Sequence, residues 1–222
     1  MHMIWKLLVL VLFIWVIIGA WLFEPPMMGV EGPEVYRIFY FHVPVALVTF
    51  FAYGLAMYNG LMYLNNRRLE YDDRSALAAA LGTIFCALAT LSGSVFAKFA
   101  WRSFWNWDPR ETSIVVLLLI YLAYFALRSA VADAERRAAL SAVYSVLGFI
   151  SAVFTIFIWP RLTPGLHPGA PGDSSGKFIS MSTAAAIVFI PSLLAFTILF
   201  VWIYSLSVRI SRLEQERAEK EI

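Results

Sequence analysis

The sequence predicts an all-α integral membrane protein, a bundle of six transmembrane helices with both termini in the cytoplasm. Composition is the first observation, because 61% of the 222 residues are hydrophobic and only 14% are charged, with a mean hydropathy of +0.74. A soluble domain carries roughly 25% charged residues. The second observation is a series of apolar stretches, each near the length of about 20 residues that a helix needs to cross the hydrocarbon. Helices are favoured over strands because they satisfy their own backbone hydrogen bonds in lipid.

The predicted spans follow one another along almost the whole chain. They cover residues 4–23, 39–64, 77–97, 113–131, 140–159 and 181–207. The first is interpreted as a retained span, because it is longer than the core of a signal peptide and ends in Glu24-Pro25-Pro26 rather than at small residues. Residues 1–208 are therefore expected to form one six-span domain. Residues 209–222 form a charged tail of alternating sign, which predicts a solvated helical extension in the cytoplasm.

The orientation follows from the distribution of the Lys and Arg residues. With six spans, eleven of the 17 lie on one side of the membrane and six on the other. The side with more positive charge is expected to be cytoplasmic and to hold both termini. Six spans also force the loops 24–38, 98–112 and 160–180 onto one common face, which this orientation makes extracytoplasmic.

The third loop contains the most unusual stretch of the chain, WRSFWNWDPRET at residues 101–112. Its tryptophans, Trp101, Trp105 and Trp107, exceed what interfacial anchoring requires. A helical turn here would stack Trp101 and Trp105 on one side, with Trp107 displaced. This much aromatic surface rimmed with charge favours a platform for a large planar ligand.

The DPRE stretch in the same loop predicts a helix start. Asp108 would be the N-cap, Pro109 the first helical residue and Glu111 the partner that completes a capping box. Asp108 is thus expected to fix the entry of the fourth span and to aim the tryptophans. The alternative is a direct electrostatic role, and Asp108→Asn distinguishes the two because asparagine caps nearly as well.

Two of the three histidines lie on the same face as the tryptophans. His42 stands in RIFYFHVPVA at the mouth of the second span, and His167 lies in the turn-rich GLHPG, whereas His2 is at the terminus. Taken singly, His42 could equally hydrogen-bond to a neighbouring helix, and a lone loop histidine is more often without function.

A haem suits this combination of residues. Two imidazoles can supply both axial positions of a haem iron, and the tryptophans offer its ring a flat apolar surface. Arginines on the same face could bind the propionates. The candidates are Arg37, Arg102, Arg110 and Arg161. Zinc is a poorer match, because the histidines lack cysteines or a third ligand nearby.

Together, RIFYFHVPVA, FAWRSFWNWDPRETS and GLHPG resemble the haem-handling proteins with a tryptophan-rich WWD signature, and within them the six-span CcmC family of bacterial cytochrome c maturation. The resemblance covers nearly the whole chain. It implies that haem b is bound transiently on the extracytoplasmic face of the bacterial inner membrane, by the tryptophan loop, with His42 and His167 as axial ligands.

The resemblance also implies partners and a role without catalysis. Haem would pass to a membrane-anchored, CcmE-like haem chaperone, and CcmA- and CcmB-like ATP-binding cassette subunits and a small CcmD-like one-span subunit would assemble with the protein. No partnership with nucleic acid is expected. Two alternatives stay open: a cytochrome c synthase component that attaches haem directly, favoured by the likeness of DPRET to the synthase branch, and a haem permease. A permease is expected to carry ionisable residues in its span centres, and these are scarce here.

Overall fold

The computed structural model has six helices long and apolar enough to cross a membrane and no strand among its described residues, which confirms the predicted fold class. The structure describes residues 3–23, 33–167, 171 and 181–221. The predictions for His2 and Glu24-Pro25-Pro26 lie outside these residues. The cytoplasmic placement of the termini stays a prediction.

The six spans are joined by short connections wherever the structure describes them. The helices are α1 (Met3–Leu22), α2 (Phe39–Asn66), α3 (Leu69–Trp101), α4 (Pro109–Ala130), α5 (Ala134–Leu162) and α6 (Thr183–Lys220). A 3₁₀ helix, Pro33–Ile38, leads directly into α2. One turn of α5, Phe154–Ile158, is π-helical. Such turns occur frequently at functional sites.

Two helices, α3 and α6, extend furthest beyond their predicted spans. The α3 helix begins at Leu69 rather than residue 77. Hydropathy detects only the apolar part of a helix, and the first turns of α3 are charged but still helical. There Asp72 is buried and accepts two hydrogen bonds from the Arg128 guanidinium, at 2.5 and 2.9 Å. The α6 helix continues without a break through the charged tail to Lys220.

Helix α2 occupies the centre of the bundle. It packs against α3, α5 and α6, while α1 packs on α6 and α4 packs on α3 and α5. In the core, the ring of Tyr53 on α2 stacks on that of Tyr121 on α4, with centroids 3.4 Å apart. The first turn of α2 is therefore surrounded, at one end of the bundle, by the end of α3, the start of α4 and the end of α5.

Candidate functional site

A cavity of about 250 Å³ lies at that end of the bundle. It is lined by the 3₁₀ helix, by α2, α3, α4 and α5, and by the tryptophan loop, and neither α1 nor α6 contributes to its described wall. Four of the ten residues predicted for the site line it. They are His42, Trp105, Arg110 and His167.

His42 projects into the cavity from the first turn of α2. Its Nδ1 lies 3.0 Å from the Ser92 hydroxyl oxygen of α3. The Ser92 hydroxyl can donate its single hydrogen to the carbonyl of Leu88, at 2.8 Å, and accept a hydrogen bond from a protonated Nδ1. This tautomer leaves Nε2 without a hydrogen and able to bind a metal. The hydrogen bond to a neighbouring helix and the ligand role, which the sequence presents as alternatives, are thus compatible.

Gly93 allows the His42 ring to approach α3. A Cβ atom at Gly93 would lie 2.8 Å from Cε1 of His42, closer than real side chains come. Gly93 lines the same cavity. Ser92, Gly93 and Ser94 form a run of three small residues in the apolar part of α3, and this run is the sequence signal by which the contact with His42 could have been predicted.

Asp108 connects the start of α4 to residues 163–167, here called the histidine loop. The structure confirms the predicted cap, because Oδ1 accepts the N–H of Arg110 at 2.9 Å and Glu111 completes the capping box. The same carboxylate also accepts a hydrogen bond from Nδ1 of His167, at 2.6 Å, and one from the N–H of Leu166, at 2.5 Å. His167 is therefore held in the same way as His42: Nδ1 is hydrogen-bonded to a protein oxygen atom, and Nε2 is the nitrogen available for a metal.

The charge of Asp108 is stabilised by these contacts. Burial by itself would raise the pKa of Asp108, but the hydrogen bond from His167, the charge of His167 and the backbone N–H groups of Arg110 and Leu166 lower this pKa to about 2. The histidine loop can approach Asp108 this closely because residue 165 is glycine. A Cβ atom at Gly165 would lie 2.7 Å from Oδ2 of Asp108.

Glu111 holds the backbone of the tryptophan loop through two hydrogen bonds. Its Oε2 atom accepts the backbone N–H of Asn106, at 2.7 Å, and that of Asp108, at 3.2 Å. These two donors lie on either side of Trp107, so one carboxylate fixes the backbone that carries two of the tryptophans. Glu111 lines the cavity and is only 8% exposed.

The three tryptophans do not form a single flat platform. The prediction that a helical turn stacks Trp101 on Trp105 is wrong, because α3 ends at Trp101 and Arg102 takes a left-handed conformation with φ of 63°. Trp101 packs edge-on against the His167 ring, with centroids 4.6 Å apart. Trp105 lines the cavity. Trp107 is 74% exposed, has a φ of 56°, and lies perpendicular to Trp105.

The four predicted arginines have different surroundings. Arg110 lines the cavity. Arg37 does not, because it donates to the carbonyl of Ala20 and to Glu34 and lies over the Trp21 ring. Arg102 and Arg161 are exposed, and Arg161 donates to the carbonyl of Phe157 in α5. Of the four predicted arginines, all of which lie among the described residues, Arg110 is the one that lines the cavity.

The donor set does not suit a bare metal ion. Among the described residues, no group of three or more His, Cys, Asp or Glu side chains could hold one. Two imidazoles, those of His42 and His167, line one cavity and provide two ligands. A metal that brings its own planar set of four ligands needs only those two.

Comparison with known proteins also points to haem as the ligand. The family model described as Heme exporter protein C matches residues 1–222. Heme exporter protein C of Paracoccus denitrificans (strain Pd 1222) is 30% identical over 165 residues, which are 70% of this chain and 68% of the relative. Heme exporter protein C of Bradyrhizobium diazoefficiens is 32% identical over 182 residues, 81% of this chain and 67% of the relative.

A second group of relatives matches a shorter part of the chain. Cytochrome c biogenesis protein CcsA of Spinacia oleracea is 36% identical over 98 residues, which are 44% of this chain and 29% of that protein. Because the Heme exporter protein C model covers every residue, the chain belongs to the Heme exporter protein C family.

Proposed function

We propose that this multi-pass membrane protein binds haem b transiently in the cavity, on the extracytoplasmic face of the bacterial inner membrane, and delivers it to a membrane-anchored haem chaperone during cytochrome c biogenesis. The axial ligands are Nε2 of His42 and Nε2 of His167. The protein holds and presents haem and performs no covalent chemistry on it.

One observation carries the proposal. Two imidazoles from distant parts of the chain line one cavity, and each has Nδ1 engaged by a protein oxygen atom, Ser92 for His42 and Asp108 for His167. Such hydrogen bonds fix the tautomer and the orientation of a metal-binding imidazole and increase its basicity. Both rings are thereby prepared to bind one iron through Nε2.

The rest of the cavity suits the porphyrin ring. Trp105 supplies an aromatic surface in the wall, where ring contacts contribute about 0.5–1.5 kcal/mol beyond apolar burial. Arg110, also in the wall, supplies positive charge for a propionate. Bound haem contributes the four equatorial ligands of its iron, and the chain's residues orient it.

Haem titration tests the proposal. Ferric haem added to the detergent-purified protein should give a low-spin, bis-histidine absorption spectrum. His42→Ala and His167→Ala should each abolish that spectrum, while His2→Ala, which removes the third histidine, should leave it unchanged. Normal spectra and affinities in both ligand variants would show that the iron is bound elsewhere.

The partners are part of the same proposal. We expect a CcmE-like chaperone to take haem from the cavity, and CcmA-like, CcmB-like and CcmD-like subunits to assemble with this protein in the lipid bilayer. Copurification tests it, with each partner affinity-tagged in turn. A stable complex that lacks this chain would exclude it from that assembly.

A synthase role is the second candidate, and the similarity to CcsA proteins favours it. Expression with apocytochrome c, but without any haem chaperone, separates the two. Mature cytochrome c under these conditions would establish direct attachment, and its absence, with maturation restored by the chaperone, supports delivery.

The orientation can be measured directly because the single cysteine, Cys86, is buried. Leu162 and Glu219 are exposed near opposite ends of the bundle. A membrane-impermeant maleimide added to intact cells should label Leu162→Cys and spare Glu219→Cys. The reverse pattern would place the cavity on the cytoplasmic side.

A further inference from the structure

Helices α2 and α6 each contain a proline in their interior, Pro44 and Pro191. Because a proline has no N–H, it cannot make the backbone hydrogen bond that a helical residue donates to the carbonyl four residues earlier. The carbonyls concerned are those of Tyr40 in α2 and Ile187 in α6. Inside a membrane, a neighbouring helix is a common source of a replacement donor for such a carbonyl.

In both places a side chain of another helix provides a donor. The Ser192 hydroxyl of α6 donates to the carbonyl of Tyr40 in α2. The Trp15 indole N–H of α1 donates to the carbonyl of Ile187 in α6, at 3.1 Å. Through these two hydrogen bonds, α1 is joined to α6 and α6 is joined to α2.

The hydrogen bond between Ser192 and Tyr40 lies in the interior of the protein, since both residues are 0% exposed. Tyr40 belongs to an apolar cluster, here called the outer cluster, together with Val16 and Ala20 of α1 and Val188 of α6. A serine hydroxyl has a single hydrogen to donate, and Ser192 donates it to the Tyr40 carbonyl. Removing the hydroxyl would therefore remove a polar contact that α6 makes with α2 in apolar surroundings.

The acceptor lies in the turn of α2 that carries His42. Tyr40 precedes His42 by two residues, and the His42 ring projects from this turn toward Ser92 of α3. Phe39 and Val43 of the same turn line the cavity and also pack against the outer cluster. The turn is thus held by α6 on its outer side while it presents an imidazole to the cavity. A shift of the turn would move His42 with it.

We propose that Ser192 is a positioning residue for His42, because its hydrogen bond to Tyr40 fixes the first turn of α2 from outside the cavity. This role rests on the proposed haem-binding function and assigns to α6 the support of one axial ligand. No residue of α6 belongs to the cavity wall that the structure describes, so Ser192 acts through α2 and not by contact with haem.

Haem titration of Ser192→Ala tests the effect on the ligand. Loss of one interhelical hydrogen bond should weaken the binding of ferric haem about three- to tenfold. The electron paramagnetic resonance spectrum should shift as well, because the g values of a low-spin bis-histidine haem depend on the orientation of its imidazole planes. Thr197→Ala is the matched control and should change neither, because the Thr197 hydroxyl donates to Leu193 of its own helix, at 2.7 Å.

Replacing the proline provides a rescue. Alanine at position 44 has an N–H that can donate to the Tyr40 carbonyl within α2. Ser192→Ala should therefore lower the melting temperature of the haem-free protein and the haem affinity in the unmodified background. Combined with Pro44→Ala, it should change the affinity by no more than about twofold, because the carbonyl already has a donor. The melting temperature reports on the hydrogen bond without any ligand.

The outcomes separate this role from the proposed function. Unchanged g values in a folded Ser192→Ala protein would overturn the positioning role and leave haem binding intact. Equal losses of affinity with and without Pro44→Ala would also overturn it, because the effect would then not arise at the Tyr40 carbonyl. The comparison with Thr197→Ala decides the question even if Pro44→Ala does not fold. Absence of a bis-histidine spectrum in the unmodified protein would overturn the proposed function, and the positioning role with it.

Discussion

Replacing Asp108 with asparagine tests whether the cap residue also controls His167. The carboxylate accepts three N–H groups, from Arg110 at 2.9 Å, from His167 at 2.6 Å and from Leu166 at 2.5 Å. Oδ1 serves the first two and Oδ2 serves the third. Asparagine replaces one of these acceptors with an NH2 donor. Whichever way the amide is turned, at least one donor loses its partner.

The magnitude follows from these contacts. One unpaired buried donor costs about 1–3 kcal/mol in the docking of the histidine loop on α4. If the amide turns its NH2 group toward His167, Nδ1 must become the acceptor and Nε2 then carries the hydrogen, so it cannot bind iron. Loss of such a hydrogen-bond partner typically weakens metal binding by about 10–100-fold. We expect Asp108→Asn to weaken haem binding in that range while the helix content stays unchanged, because asparagine still caps α4.

The assay is haem titration of Asp108→Asn in the wild-type and His167→Ala backgrounds. If Asp108 acts through His167, the substitution should have no additional effect once His167 is absent. Asp108→Ala, which also removes the cap, should lower the melting temperature further, by the equivalent of about 1 kcal/mol. A folded Asp108→Asn protein that binds haem within threefold of wild type would refute the reasoning and return Asp108 to a capping role alone.

Three further outcomes are expected. Gly93→Ala should weaken haem binding roughly tenfold in a folded protein, since its Cβ would lie 2.8 Å from Cε1 of His42 and overpacking costs about 1–3 kcal/mol; unchanged affinity would show that the ring shifts freely. Trp105→Leu should reduce haem affinity more than Trp107→Leu, because Trp105 lines the cavity and Trp107 is 74% exposed; equal losses would contradict this division. The pKa of Asp108 is about 2, below the ordinary value near 3.9. Its carboxylate therefore stabilises the haem-free protein by about 2 kcal/mol above pH 4, and this stabilisation is lost as the pH falls toward 2. Hydrogen exchange of the Leu166 amide should then stay slow relative to its intrinsic rate from pH 7 down to 4, and loss of protection near pH 5 would be inconsistent with that pKa.

Features with a local cause could be predicted from the sequence. Six helices follow from hydropathy over about 20 residues at a time, and the six-helix count confirms this. The cap at Asp108 follows from four consecutive residues, and the capping box confirms it. The boundaries were less predictable: α3 begins at Leu69, in a charged stretch where Asp72 is paired with Arg128 of another helix, and hydropathy does not register such a stretch.

The choice of haem as ligand depended on residue types gathered on one face of the membrane. An even number of spans places alternate loops together, so His42, the tryptophan loop and His167 could be grouped without coordinates. The arginines show the limit of that argument. All four were equivalent in the sequence, yet Arg110 lines the cavity and Arg37 turns toward Glu34.

By itself, then, the sequence determined the helices, their number and the cap, because each depends on neighbours within a few turns of the chain. Only the tertiary structure decided how each histidine is held. Ser92 meets His42 across 50 residues of sequence, and Asp108 meets His167 across 59. It also gave the tryptophans different surroundings, since α3 ends at Trp101 and the Trp101 ring packs against that of His167. Hydrogen bonds and ring contacts of this kind form between side chains that packing brings together, and no local pattern of residues specifies such pairs.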